Sequence, residues 1–265
     1  MKIPLIRRRA PKKLPPPQEE DNELRMGFFE HLEELRNRLF KIVVMIVIGT
    51  FIGSIISADV LEYLLSPYAN VNPEETQQLV VLGPTGAVVT YFKVALMIGG
   101  IIGVPVITYQ ILMFIIPGLT RKEKRYLFLA LPAITLLFLV GVLFAWFVLI
   151  PPAIGFLEGF QADIFRPEWT AENYISFVTA LIFWMGVAFE TPLVFFILSL
   201  LGIVTSGLLI KNWRFALVGT AIAAALITPT IDPVNMFLVM GPLMGLYVLS
   251  IFLVMIGRRI SSVSR

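Results

Sequence analysis

Tyr126–Leu157 reads YLFLALPAITLLFLVGVLFAWFVLIPPAIGFL, an unbroken run with no charged side chain. A helix needs about 20 mainly apolar residues to cross a hydrocarbon core of about 30 Å, so the stretch has the length and chemistry of a membrane span. It is apolar all round, as a helix between lipid and other helices should be, and periodicity adds little to the assignment. Working outward, further charge-free runs follow at Ile42–Ala58, Val94–Thr120, Asn173–Phe189 continuing after Glu190 as Thr191–Ile210, Phe215–Ile231, and Pro233–Gly257. These predict six spans if Glu190 lies inside the fourth. The turn-rich string Thr228-Pro229-Thr230-Ile231-Asp232-Pro233 then separates the fifth from the sixth. Both of these last segments are short.

The composition agrees. The 265 residues are 57% hydrophobic and 15% charged, where soluble domains run near 45–50% and about 25%. Mean hydropathy is +0.85. Cysteine is absent and only one histidine, His31, is present, which removes thiolate sites, a zincin motif and a Ser-His-Asp triad within the bilayer. No G-x-x-x-x-G-K-[ST] phosphate loop occurs either. Residues 1–25, with Arg7-Arg8-Arg9, Lys12-Lys13 and Pro15-Pro16-Pro17, read as a disordered basic cytoplasmic tail. A membrane domain is expected over 26–259, and 260–265 as a second short cytoplasmic tail.

The net charge of +3 conceals an asymmetry. With six spans, 19 of the 21 Lys and Arg residues fall on one side, including Arg121, Lys122, Lys124, Arg125, Lys211, Arg214, Arg258 and Arg259. Only Lys93 and Arg166 fall on the other. Basic loops stay in the cytoplasm, so the expectation is N-in and C-in. The outer loops carry Asp59, Glu62, Glu74, Glu75, Glu158, Asp163, Glu168 and Glu172.

Against this background a few acids stand out. Glu34 lies in FFEHLEELRNRL, Phe28–Leu39, which reads as an interfacial amphipathic helix leading into the first span. Its carboxylate either belongs to a solvated face, paired to Arg38 one turn on for about 0.3–0.5 kcal/mol, or forms an acidic recognition patch. Glu123 is a lone acid among four cations after Pro117-Gly118; it balances charge or receives a guanidinium, whose fork fits a carboxylate bidentately. Glu190 precedes Thr191-Pro192 in the fourth span, and an acid at that depth costs about 2.5–3.5 kcal/mol on insertion scales. It is either protonated or bonded to backbone freed by Pro192, or it meets another membrane subunit or a proton. Asp232 reads equally as a turn cap or as a polar contact.

Together these residues resemble the twin-arginine translocase subunit TatC family. His31-Leu32-Glu33-Glu34-Leu35-Arg36-Asn37-Arg38 is similar to its H-L-x-E-L-R-x-R opening, and Pro105 to Gln110 followed by Phe114, Pro117 and Glu123 is similar to its P-x-x-x-Y-Q…F-x-x-P…E stretch. Gly186 to Pro192 resembles its G-x-x-F-E-x-P motif, and Thr228-Pro229…Asp232-Pro233 its T-P…D-P turn. Asn235-Met236 stands where some members carry Gln. The resemblance implies an all-α integral membrane protein, a concave bundle of six helices with a short fifth and sixth. It implies a non-enzymatic receptor for twin-arginine signal peptides of folded cargo, driven by proton-motive force. Glu34 and Glu123 would face the arginines, supported by Arg36 and Phe114, with Pro67, Pro105 and Pro117 as structural members. Glu190, Thr228 and Asp232 would meet single-span partner subunits of the TatA and TatB type, in a homo-oligomer within a hetero-complex of the cell membrane. The reading calls for no metal, no cofactor and no nucleic-acid partner. The competing readings are a secondary transporter with Glu190 as coupling carboxylate, and an intramembrane enzyme.

Overall fold

A computed structural model of the chain describes residues 28–71, 79–115, 121–161, 163–164, 168–200, 202–228 and 232–263. The basic tail over 1–25 and Pro117 lie outside them, and so do the side chains of 121–130, which include Glu123. The described part is helical. In chain order it comprises α1 (Phe28–Leu64), α2 (Ser66–Val71), α3 (Gly86–Ile115), α4 (Arg121–Phe144), α5 (Ile150–Gly159), α6 (Ala171–Phe189), α7 (Thr191–Leu200), α8 (Ser206–Lys211), α9 (Trp213–Ile227) and α10 (Pro233–Val263).

Five helices are long and apolar enough to cross a membrane: Phe29–Ala69, Gly86–Phe114, Leu131–Gly159, Ala171–Leu200 and Pro233–Arg258. The run expected as a fifth span gives a shorter helix, Trp213–Ile227, of 15 residues. At 1.5 Å per residue it is about 22 Å long. Asn212 sets its start, with a non-helical ψ of 20°, and its end at Thr228 precedes the proline turn. The interfacial helix expected before the first span is not a separate element. From Phe28 to Ile48 there is no Gly or Pro to interrupt it, so it is continuous with the span as the 37-residue α1. At the other end α10 runs to Val263, through most of the expected C-terminal tail.

Two prolines shape the third span. Pro151 and Pro152 offer no N–H to the preceding turn, and their rings crowd it. The chain answers with a wider π-turn over Ala145–Leu149, closed by Ile150 N–H donating to Ala145 O. The span therefore continues from α4 into α5 without a stop. In the fourth span the break is sharper: Glu190 ends α6, and α7 starts again at Thr191.

The core lies where α3, α5 and α6 meet. Val94, Ile150, Ile154, Tyr174, Ile175, Val178 and Met185 are buried there. The described connection before α3 turns through Gly86 N donating to Gly83 O at 3.2 Å. Val80 O accepts from Ala171 N at 2.9 Å, which ties the loop before α3 to the start of α6. Tyr174 OH donates to Leu64 O at 2.8 Å, and Tyr68 sets its ring edge-on against Tyr174. Pro67 is buried in this layer.

α1 packs on the bundle almost entirely through α3, antiparallel to it. Gly49 and Gly99 let the two backbones touch. A Cβ on Gly49 would sit 2.7 Å from Gly99 O, and one on Gly53 would sit 2.6 Å from Ala95 O. Such spacing admits no side chain larger than hydrogen. The remaining faces of α1 are exposed, with Val47, Phe51 and Ile55 among the apolar side chains left uncovered by protein.

Candidate functional site

The glycine contacts fix a register. Gly53 meets Ala95, Gly49 meets Gly99, and Met45 meets Gly103, so each turn up α1 is answered by one turn down α3. Extended to the ends, the same register sets Arg38 opposite Gln110 and Glu34 opposite Phe114. Arg38 Nη1 donates to Gln110 Oε1 at 3.4 Å, across 72 positions of sequence. The His31 ring stacks on Phe114 with centroids 4.3 Å apart and planes 16° from parallel. The first two sequence motifs thus close into one cluster.

Glu34 is the centre of it. Its Oε1 accepts from Arg38 Nε at 2.9 Å and also from Nη2, a two-pronged contact across one helical turn. The pair is largely enclosed, with side-chain exposures of 15% for Glu34 and 17% for Arg38, so it is not the solvated pair that composition alone suggests. The other oxygen differs. Oε2 is buried without a hydrogen-bond partner among the described residues, and the closest cationic candidate, His31 Nδ1, stands 3.7 Å away. A buried carboxylate oxygen without a donor is an unfavourable arrangement. It is also a vacant acceptor, beside an aromatic wall of His31 and Phe114, at the end of the bundle that the basic residues mark.

Arg36 is not in this cluster. Two positions along the helix from Glu34 it points elsewhere, and its Nη2 donates to Glu33 Oε1 at 3.2 Å in an exposed pair. Pro105 lies inside α3 and is exposed. Glu123 is the third residue of α4; its side chain lies outside the described residues, as does Pro117.

The second group of residues lies around the fourth span and the last two helices. Glu190 caps α6: its amide donates to Val187 O at 3.1 Å, and its carbonyl accepts from Leu193 N and Val194 N at 3.0 Å. The carboxylate is half-buried and has no hydrogen bond or ion pair among the described residues. Next to it runs a groove of about 600 Å³, lined by Trp184, Thr191, Phe195, Gly219, Thr220 and Tyr247 among others. Thr228 is buried and ends α9 by donating its hydroxyl to Ala224 O at 2.8 Å. Asp232 is a helix cap: Oδ1 accepts from Asn235 N at 2.7 Å and Oδ2 from Asn235 Nδ2 at 3.0 Å. These two polar side chains are thus occupied with their own helix ends.

Gln110 and His31 were not singled out from the sequence as site residues, and both belong to the Glu34 cluster. The available signal was weak: one polar side chain within an apolar run and the chain's single histidine. Pairing either with α1 requires the register of the glycine contacts. No group of three or more His, Asp or Glu side chains that could hold a metal occurs among the described residues.

Comparison with known proteins bears on this geometry. Residues 30–242 match the family model described as Sec-independent protein translocase protein (TatC). The chain is 37% identical over 228 residues to the Sec-independent protein translocase protein TatC of Carboxydothermus hydrogenoformans, covering 86% of this chain and 92% of that one. It is 34% identical over 235 residues to the chloroplastic TATC of Pisum sativum, covering 88% of this chain and 65% of the longer plant protein. A crystal structure of the twin-arginine translocase receptor TatC superposes with a TM-score of 0.78 at 36% identity, covering 86% of this chain and 99% of that one.

Proposed function

Because this chain belongs to the TatC family of Sec-independent protein translocase proteins, we propose that it is the membrane receptor and core subunit of a twin-arginine export system. It crosses the cell membrane six times, with α9 as a short fifth crossing and both termini in the cytoplasm. The distribution of 19 of 21 basic residues supports this orientation. It recognises signal peptides of folded cargo at the α1–α3 end. Partner single-span subunits of the TatA and TatB type, and further copies of the chain, assemble around it.

The observation that carries the reading is the divided role of Glu34. Arg38 holds one oxygen and orients the carboxylate, while the second oxygen is enclosed and unclaimed among the described residues. An incoming guanidinium supplies the missing donors in a site already ordered to receive them, which lowers the conformational entropy lost on binding. Glu123, entering from α4, takes the second arginine. Phe114 and His31 wall the pocket, and an aromatic face beside a cation adds attraction. Arg36 acts at the exposed rim. The groove beside Glu190 suits an apolar helix carrying one polar group to meet the carboxylate.

The test is photo-crosslinking of an Arg-Arg signal peptide to membranes containing the full chain. The combination Glu34→Ala with Glu123→Ala is expected to abolish the crosslink, and Lys-Lys replacement in the peptide to weaken it strongly. Undiminished crosslinking in either arm would remove the paired-carboxylate assignment. For the groove, Glu190→Ala is expected to reduce co-purification of a single-span subunit while membrane insertion stays intact; unchanged co-purification would count against it.

A further inference from the structure

Lys211, Trp213 and Arg214 stand where the chain turns from α8 into α9. The turn is anchored from below. Thr205 Oγ1 accepts from Leu208 N at 3.1 Å, and Tyr247 of α10 donates its hydroxyl to Leu209 O at 2.7 Å. Val204, Leu209, Tyr247 and Val254 are buried against one another. From this fixed base the cations face outward. Lys211 and Arg214 are exposed, and the Arg214 guanidinium carbon lies 5.9 Å from the centroid of the half-exposed Trp213 ring. Leu208, Ile210 and Phe215 surround them and are also exposed. Basic heads, an indole and an apolar collar share one ledge.

Among the described residues nothing balances this charge. From Thr191 to the C-terminus the sequence holds one acidic residue, Asp232. That residue caps the opposite end of α10, about 22 Å from Tyr247 at 1.5 Å per residue. Among the described residues neither Lys211, Arg214 nor Arg258 has an ion pair. The described basic side chains with acidic partners, Arg36, Arg38 and Lys93, are all elsewhere. Depth sharpens the imbalance. α9 is about 22 Å long against a core of about 30 Å. On the six-span reading α9 falls about 8 Å short of that core, so an uncompensated cation at its start lies close to the hydrocarbon, where it is unfavourable.

We propose that Lys211, Trp213 and Arg214 form a binding site for the phosphodiester headgroup of an anionic phospholipid. Lys211 and Arg214 donate to the phosphate oxygens, Arg214 through its planar fork and Lys211 as a point charge. Trp213 lies at the glycerol level, where indoles settle at membrane interfaces. Leu208 and Phe215 face the upper acyl chain. The lipid supplies the negative charge that the described residues at the ledge lack, and the headgroup descends to the level at which α9 begins. The depth, but not the charge imbalance, rests on the six-span reading; nothing in the site depends on signal-peptide recognition.

The test is native mass spectrometry of the purified full chain in detergent, titrated with phosphatidylglycerol, phosphatidylcholine or inorganic phosphate. Retention of phosphatidylglycerol is expected, without retention of phosphatidylcholine and without displacement by millimolar phosphate. Lys211→Gln with Arg214→Gln is expected to weaken retention roughly thirty-fold, the factor for two basic residues at an anionic surface. Lys12→Gln with Lys13→Gln removes the same charge from the tail and is expected to change nothing. Retention by the double ledge variant, equal loss in the tail variant, equal retention of phosphatidylcholine, or displacement by free phosphate would each overturn the site. If the double variant does not fold, Lys211→Gln alone serves, with an expected loss of roughly five-fold and wild-type retention as the overturning result. Signal-peptide crosslinking in the same variants separates the two readings: an intact crosslink beside unchanged lipid retention ends the lipid site and leaves the receptor.

Discussion

Two basic places on the bundle, α1 with α3 and α8 with α9, meet the same problem in opposite ways. At the first, Arg38 is enclosed, pairs with Glu34 and reaches Gln110, so the positive charge is satisfied inside the protein and one carboxylate oxygen is left over. At the second, Lys211 and Arg214 have no acidic partner among the described residues, and the counter-charge we propose is a lipid phosphate. The surplus is an acceptor in one place and a donor in the other. Basic residues that look alike in composition are thus of two kinds. On the two readings proposed above, one kind shapes a site for an arriving cation, and the other awaits an anion.

The first end should break most completely where its register is set. Gly99→Leu puts a branched side chain against the Gly49 backbone. It is expected to cost at least about 3 kcal/mol, the upper range for overpacking. Size-exclusion chromatography and thermal unfolding read this as loss of monodisperse protein. An unchanged melting profile would mean that the α1–α3 contact does not govern the site. Next in size is Glu34→Ala, which strands Arg38. Breaking a buried pair costs about 3–5 kcal/mol, but partial exposure of this pair reduces the expectation to about 2 kcal/mol. The melting temperature should fall while phosphatidylglycerol retention at α8–α9 stays the same. A matching loss of lipid would show that the two ends are not independent. The smallest effect belongs to Arg36→Ala. Its pair with Glu33 is 73% and 65% exposed, and such pairs contribute about 0–1 kcal/mol. Stability should hardly change, so any large fall in peptide crosslinking by this variant would have to come from contact with the peptide.

Much of this architecture is legible in the sequence because membrane helices announce themselves by length and lack of charge. The break at Glu190 follows from Pro192, and Asp232 as a cap follows from its place before a helix-starting proline. The Glu34–Arg38 contact follows from helical spacing alone. Other features depend on distances between helices, which no local pattern encodes. Arg38 finds Gln110 only because glycines bring two backbones together several turns away, and the enclosure of Glu34 depends on the Phe114 wall that the same register supplies. The shortness of α9 is a balance between an Asn212 turn and an apolar run that could have extended further. The π-turn before Pro151 has a local cause, yet its position depends on how the preceding turn chooses to relax.

The α1–α3 crossing has a final consequence for how the chain tolerates change. Its middle is smooth, glycine against glycine, and at its two ends sit polar clasps: Arg38 on Gln110, and Tyr91 OH on the carbonyl of Ser54. Substitutions on the lipid side of α1 leave both clasps alone, so that surface is free to drift among apolar residues. A single inserted or deleted residue between Arg38 and Ser54 is different. It turns one end against the other by about 100°, and no sliding of the helix restores both clasps together. The hairpin is permissive to spelling and intolerant of length.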